Sequence, residues 1–221
     1  MEEKNYILEL CQGRCDDPRA RIIKAALEEF GLYSFLGART REIAAKAGVN
    51  HAAISYYFGG KTELYTEVAT QICDFININN RPYSQKLEEL KKSPAPKEAR
   101  KLLVELISKR MASESVPDYL LRSMILIISR EELYQTKVFD IFLEVFRKDI
   151  ALVAELISMA SSGQLSGNRA TLLARMFIGQ AHIFSSSRSS LQKILGTDKH
   201  SEEVVEHSSA LVLELIDKFI M

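Results

Sequence analysis

The chain has 221 residues, 47% of them hydrophobic and 26% charged, and its 29 Lys and Arg balance 29 Asp and Glu. This is the composition of a globular protein with a buried core, long enough for one large or two small domains, and its neutrality argues against a protein that coats nucleic acid as a polycation. No stretch reaches the roughly eighteen uncharged apolar residues that a membrane-spanning helix needs, and MEEKNYILEL is acidic where a secretory leader is basic, so the expected location is the cytoplasm, away from any membrane.

Residues 1–16 form an N-terminal extension in which YILELC can add a short helical turn. At Asp17-Pro18 a helix is predicted to start, with the carboxylate as cap and Pro at the first helical position, where its missing amide costs nothing. Ile23, Ala26, Leu27 and Phe30 follow at helical spacing and give one apolar face. Gly31 and Gly37 bracket LYSFLGA, which reads as a loop. Thr40 then suits the N-cap of a helix REIAAKA, Gly48 suits its left-handed end, and Asn50 suits the cap of a second short helix, HAAISYYF. Two helices joined through so short a turn make a helix-turn-helix.

The second helix has two chemistries. Ile54 and Phe58 share a side with Val49 and can close a small core with Ile43 and Ala44. His51, Ala52, Ser55 and Tyr56 fall opposite: an imidazole, a methyl, a hydroxyl and a phenol, suited to base edges and phosphates in a major groove and poorly suited to a core. The alternative is a solvated polar face on a helical pair. From Asp17 to Thr62 the bases Arg19, Arg21, Lys24, Arg39, Arg41, Lys46 and Lys61 outnumber the acids Asp17, Glu28, Glu29 and Glu42, a local positive patch on a neutral molecule.

The order Thr-Arg-x-Ile-Ala-x-x-Ala-Gly-Val, a polar cap, then Ala-Ala-Ile-x-Tyr-Tyr-Phe-Gly-x-Lys-x-x-Leu resembles the DNA-binding domain of TetR-type transcriptional regulators over Arg19 to about Val68, and its wording is similar to the CecR-like branch. Ser55 and Ala52 depart from the Tyr and Gly often found there. The resemblance implies a homodimer on double-stranded, palindromic operator DNA. Residue chemistry and resemblance together make the DNA-facing set Thr40, Arg41, Asn50, His51, Ala52, Ser55, Tyr56, Tyr57 and Lys61. With few long side chains for base edges, much of the affinity is expected from phosphates and much of the specificity from DNA shape.

Gly60-Lys61-Thr62 is not the end of a phosphate-cradling loop, because Ser55 stands where that motif needs Gly and no strand precedes it. A long helix is predicted from Thr62 to about Ile78, ending at Asn79-Asn80-Arg81-Pro82, with Lys61 at its start facing a DNA phosphate. This divides the chain into a DNA-binding domain, 17–80, and a regulatory and dimerisation domain, 81–221. A second break falls at 91–96. Helices are then predicted around Leu102 to Ile107, over Tyr119–Ser129, Val138–Met159, Leu172–Ser187 and Glu202–Ile220, with no alternating strand pattern. The expected fold is therefore all-α, a helix-turn-helix domain followed by a larger helical one.

Leu173, Phe177, Gln180, Ala181 and Phe184 run at helical spacing, as do Val204, Leu211, Leu215 and Phe219, and the resemblance implies that these last two helices pair with their copies in a four-helix bundle. It also implies a small-molecule effector among the C-terminal helices. Met111, Met124, Phe139, Phe142 and Phe146 are candidates for its lining, with Gln180 and His182 as orienting polar groups, although ordinary core packing explains the same Met and Phe.

Enzyme constellations are missing. No Glu-x-x-His pair for a di-iron site precedes His51, His182, His200 or His207, Gly-x-Ser-x-Gly is absent, and Glu203 with His207 reads as a solvated pair. Cys11, Cys15 and Cys73 read as buried or incidental thiols sooner than as a sensor. No catalytic residue, metal ligand or cofactor is expected. The reading is a ligand-responsive repressor, with a helical protein-binding or scaffold protein as the alternative.

Overall fold

The computed structural model describes residues 4–112 and 116–186, together with 190, 193, 194, 196, 210, 211, 214, 215, 217 and 218. The protein is all-α, and among the described residues its helices are α1 (Tyr6–Cys11), α2 (Pro18–Gly37), α3 (Thr40–Ala47), α4 (Ala52–Phe58), α5 (Lys61–Lys92), α6 (Pro96–Ala112), α7 (Asp118–Tyr134), α8 (Phe139–Ala160) and α9 (Gly167–Ser186). Most of the predicted last helix, with Val204, Phe219, Glu203 and His207, lies outside the described residues. The backbone groups into two compact units, one of residues 1–79 and 114–145, the other of 80–113 and 146–221.

The first unit holds the helix-turn-helix. Asp17 caps α2 as its sequence suggests, its carboxylate accepting from the Arg19 amide at 2.8 Å. Ile22, Ile23, Leu27 and Phe30 then turn inward and are buried, as are Ile43, Ile54, Leu64 and Ile72. Gly31 does not end the helix. The predicted loop LYSFLGA is largely helical, interrupted at Ser34, whose φ of 63° and ψ of 174° break the run. Gly31 serves packing instead: a Cβ there would stand 2.9 Å from the Ser123 Cα, so only glycine lets α7 approach α2 this closely.

The extension is not an appendage. Tyr6, Ile7 and Leu10 of α1 are buried. The buried Gln71 of α5 ties them down, its side-chain oxygen accepting from the Tyr6 amide at 2.6 Å while the Asn5 side chain donates to the Gln71 carbonyl at 2.9 Å.

In the second unit, α5 corrects the predicted helix end at Asn79–Pro82, since it runs on to Lys92 with Pro82 inside it. A proline in a helix interior costs about 3 kcal/mol. Just beyond it, Tyr83 and Leu87 bury almost completely against Leu103, Leu106, Val153 and Leu156. Burial at roughly 1.5–3 kcal/mol per large side chain more than offsets the proline. The second predicted break is real, with α5 ending at Lys92 and α6 starting at Pro96. A half-buried network holds the middle of α5: Asn80 donates to Asp149 at 2.8 Å, and Arg110 holds both Asp149 and Asn80.

Candidate nucleic-acid interface

Gly48, at φ 64° and ψ 37°, ends α3 in the left-handed conformation that favours glycine, and its amide reaches back to the carbonyls of Ala44 and Ala45. Asn50 closes the turn from the other side, its side-chain oxygen accepting from the Ala53 amide at 2.9 Å. Ile54, buried with Ile43, Ala44 and Ala47, anchors α4. The opposite face is bare, with His51, Ala52, Ser55 and Tyr56 all exposed and Tyr56 at 82%. The Tyr56 and Tyr57 rings meet edge to face, 5.0 Å apart.

Thr40 is not the cap of α3. Arg39, with φ −117° and ψ 124°, holds that position, and Thr40 is the first helical residue. Its hydroxyl instead lies 2.9 Å from His51 Nε2, bridging the two helices of the motif. On the inner side the buried Glu29 of α2 binds the Lys46 ammonium at 2.7 Å, which raises the Lys46 pKa. That contact clamps the C-terminal turn of α3 to α2.

Most of the local bases face the protein. Arg19 donates to the Tyr57 carbonyl at 2.8 Å and stands over the Tyr57 and Phe58 rings. Arg21 donates to the Ala47 carbonyl at 3.1 Å, and Lys24 lies over Tyr119. Lys61 begins α5, yet its ammonium rests 5.0 Å over Phe35 and 3.5 Å from the Leu36 carbonyl. Arg39 and Arg41 are exposed at the start of α3. Arg39 therefore joins the candidate contacts; its place beside Thr40 and Arg41 in the basic patch is the sequence signal that marks it.

The effector candidates divide between the units. Met124, Phe139 and Phe142 lie in the first, Met124 and Phe142 buried; Met111, Phe146, Gln180 and His182 lie in the second, with Met111 buried and Gln180 and His182 exposed. Sequence reasoning missed a junction of α2, α5 and α7 within the first unit. Arg130 donates to the Phe30 and Gly31 carbonyls at 3.0 and 2.5 Å. Glu131, only 1% exposed, accepts from the Tyr65 hydroxyl at 2.6 Å and from the Thr136 hydroxyl at 2.8 Å. Burial first, and then this bond, push the Tyr65 pKa well up.

All three cysteines are free thiols, and burial pushes the Cys73 thiol up to about 12, which keeps it protonated and poorly nucleophilic. Among the described residues no cluster of three His, Cys, Asp or Glu could hold a metal ion, and no helix is long and apolar enough to cross a membrane.

Residues 22–68 match the family model for bacterial regulatory proteins, tetR family. The chain is 31% identical over 194 residues to the HTH-type transcriptional dual regulator CecR of Shigella flexneri, covering 86% of each protein. It is 43% identical over 53 residues to the HTH-type transcriptional regulator RutR of Escherichia coli K12, over 24% of this chain and 25% of that one. In fold it is similar to the transcriptional regulator FadR of Bacillus subtilis, solved in complex with stearoyl-CoA, with a TM-score of 0.59 at 20% identity, covering 89% of this chain and 96% of FadR. A TetR-like transcriptional regulator from Rhodococcus sp. RHA1 gives a TM-score of 0.58 at 16% identity over 92% and 95% of the two chains.

Proposed function

Because the chain belongs to the tetR family of bacterial regulatory proteins, we propose that it is a repressor that holds a palindromic operator as a homodimer and releases it when a small molecule binds. It is a DNA-binding transcriptional regulator, not an enzyme. The observation that carries the operator reading is α4: one side locked into the core by Ile54, the other presenting His51, Ala52, Ser55 and Tyr56 to solvent. Each subunit inserts this face in a major groove, with Thr40 at its edge beside His51 and with Arg41, Asn50, Tyr57, Lys61 and the added Arg39 along the adjoining phosphates. Two such helices on a two-fold read half-sites about 34–36 Å apart, or a multiple of that spacing.

A stripe on α9 supports the homodimer. Leu172, Met176 and Ile183 are 67%, 59% and 60% exposed at helical spacing, and between them Gly179 has open space where a side chain would be. Leu211 and Leu215 are also exposed. A second copy would take this apolar surface out of water. The effector reading draws on FadR, a neighbour in fold that binds stearoyl-CoA. Within the second unit Met111 and Phe146 remain proposed for the effector's lining and Gln180 and His182 for its polar contacts, whereas Met124, Phe139 and Phe142 belong to the first unit.

Purified protein is expected to retard the duplex flanking its own gene at low salt, and to run as a dimer by light scattering. Absence of retardation with a confirmed dimer would end the operator reading, and a monomer would end the two-fold. Stearoyl-CoA titrated into the complex is the first effector probe. A molecule that moves the population from about 1:99 to 99:1 must favour one state roughly 10⁴-fold.

A further inference from the structure

The bond between Thr40 and His51 assigns different work to the two ring nitrogens. The Thr40 hydroxyl lies 2.9 Å from Nε2, which leaves Nδ1 as the nitrogen without a protein hydrogen bond among the described residues, on an exposed ring at the start of α4. A neutral imidazole carries one proton, and the bond at one nitrogen decides which nitrogen holds it. Where the hydroxyl donates to Nε2 the proton sits on Nδ1 and His51 is a single outward donor; where Nε2–H donates to the hydroxyl, Nδ1 is an outward acceptor.

Around it, Ala52 is too short to reach a base edge by hydrogen bonding, and the Asn50 side-chain oxygen is already used by the Ala53 amide. His51, the N-cap of α4, therefore stands ahead of Ser55 as an imidazole beside the Asn50 amide nitrogen, and its ring cannot rotate freely without breaking the Thr40 contact. Thr40 belongs to α3 and His51 to the other side of the turn, so the pair also fixes the spacing of the two helices where they face DNA.

We infer that Thr40 is a positioning residue for base recognition, and that the Thr40–His51 pair works as one reader whose Nδ1–H donates to a purine N7 in the major groove. This rests on the reading of α4 as the recognition helix. In place of a hydroxyl spent on a phosphate, it gives the motif a purine-selective contact that neither residue makes alone. Purine N7 is an acceptor on both adenine and guanine, so the pair separates purine from pyrimidine and leaves the choice between the two purines to other contacts.

The test uses the full-length protein and an operator selected from random duplexes. In that operator each purine is replaced in turn by its 7-deaza analogue, and affinity is measured for the wild type, Thr40→Val, Thr40→Ser and His51→Ala. One purine per half-site is expected to cost the wild type about tenfold when N7 is removed. That penalty should vanish in Thr40→Val and His51→Ala and return in Thr40→Ser, and the first two variants should lose distinctly more affinity for the operator than for random duplex. A wild type indifferent to every 7-deaza position overturns the inference without any variant. So does a Thr40→Val protein that weakens equally on operator and random duplex, the signature of a phosphate contact. A wild type that binds no duplex would instead refute the recognition-helix reading itself.

Discussion

The outward face of α4 and the junction of α2, α5 and α7 lie in the same compact unit and handle polar groups in opposite ways. At the junction Glu131 is buried, and both its oxygens accept hydrogen bonds, from Tyr65 and from Thr136. Arg130 beside it saturates the carbonyls at the middle of α2. On α4 the exposed His51 Nδ1, Ser55 and Tyr56 are left to water. Buried polar groups must be paired by the protein itself, whereas a recognition face has to keep its donors and acceptors available for another molecule. The difference separates residues that hold the fold from residues that meet the operator more cleanly than residue type does.

Substitutions can break or sharpen that contrast. Glu131→Ala strips the acceptor from a buried tyrosine hydroxyl and from Thr136, and is expected to cost about 3 kcal/mol or more in denaturant unfolding. A cost below about 1 kcal/mol would mean the junction is wetter than its burial indicates. Glu131→Gln keeps one acceptor oxygen and should lose distinctly less. Gly31→Ala tests the same junction through packing. Alanine is favoured over glycine in an open helix by about 1 kcal/mol, but here its methyl would meet the Ser123 backbone at 2.9 Å. The expected sign is therefore destabilising, by about 1–2 kcal/mol, and a gain in melting temperature would contradict the close approach.

Ser34→Gly works in the other direction. Ser34 occupies a φ, ψ region that side chains avoid, and glycine should relieve it for a net gain of about 1 kcal/mol after its own entropy cost. Smallest of all in stability are His51→Ala and Tyr56→Ala, expected to stay within about 0.5 kcal/mol of the wild type. Their affinity for the selected operator should nevertheless fall about tenfold, unevenly across operator variants. Equal losses in fold stability and binding would erase the distinction between the two regions.

The helix-turn-helix was legible because its determinants are local. Asp17 before Pro18, Gly48 at the turn, Asn50 three before Ala53 and Ile54 on the inner face act over a few residues, and periodicity exposes them. What stayed hidden depends on partners far along the chain. Glu131 lies just past the predicted helix end at Ser129, and the Tyr65 hydroxyl 66 positions away, which no local pattern shows, makes it structural together with Thr136. Thr40 looked like a cap because threonine suits one. The cap position falls at Arg39, and the Thr40 hydroxyl found His51 instead. Pro82 looked like a helix end because the burial of Tyr83 and Leu87 that carries α5 past it is a tertiary effect. Lys61, a base that sequence directs at a phosphate, also lies over the Phe35 ring 26 positions before it, a tertiary contact that local pattern does not show.

The docking of α1 bears on how this protein should be dissected. The match to the family spans residues 22–68, and a fragment cut to those limits would discard Tyr6, Ile7 and Leu10 from one side and Arg130 and Glu131 from the other. It would uncover the apolar flank of α2 and strand the Gln71 side chain, if α5 were kept, without the amide it now receives. The region that can be recognised by pattern is thus shorter than the region that can fold. Expression trials that keep Lys4 through Ser84, with α7 supplied in cis through a linker or by the intact chain, preserve the surfaces that the bare motif would leave sticky.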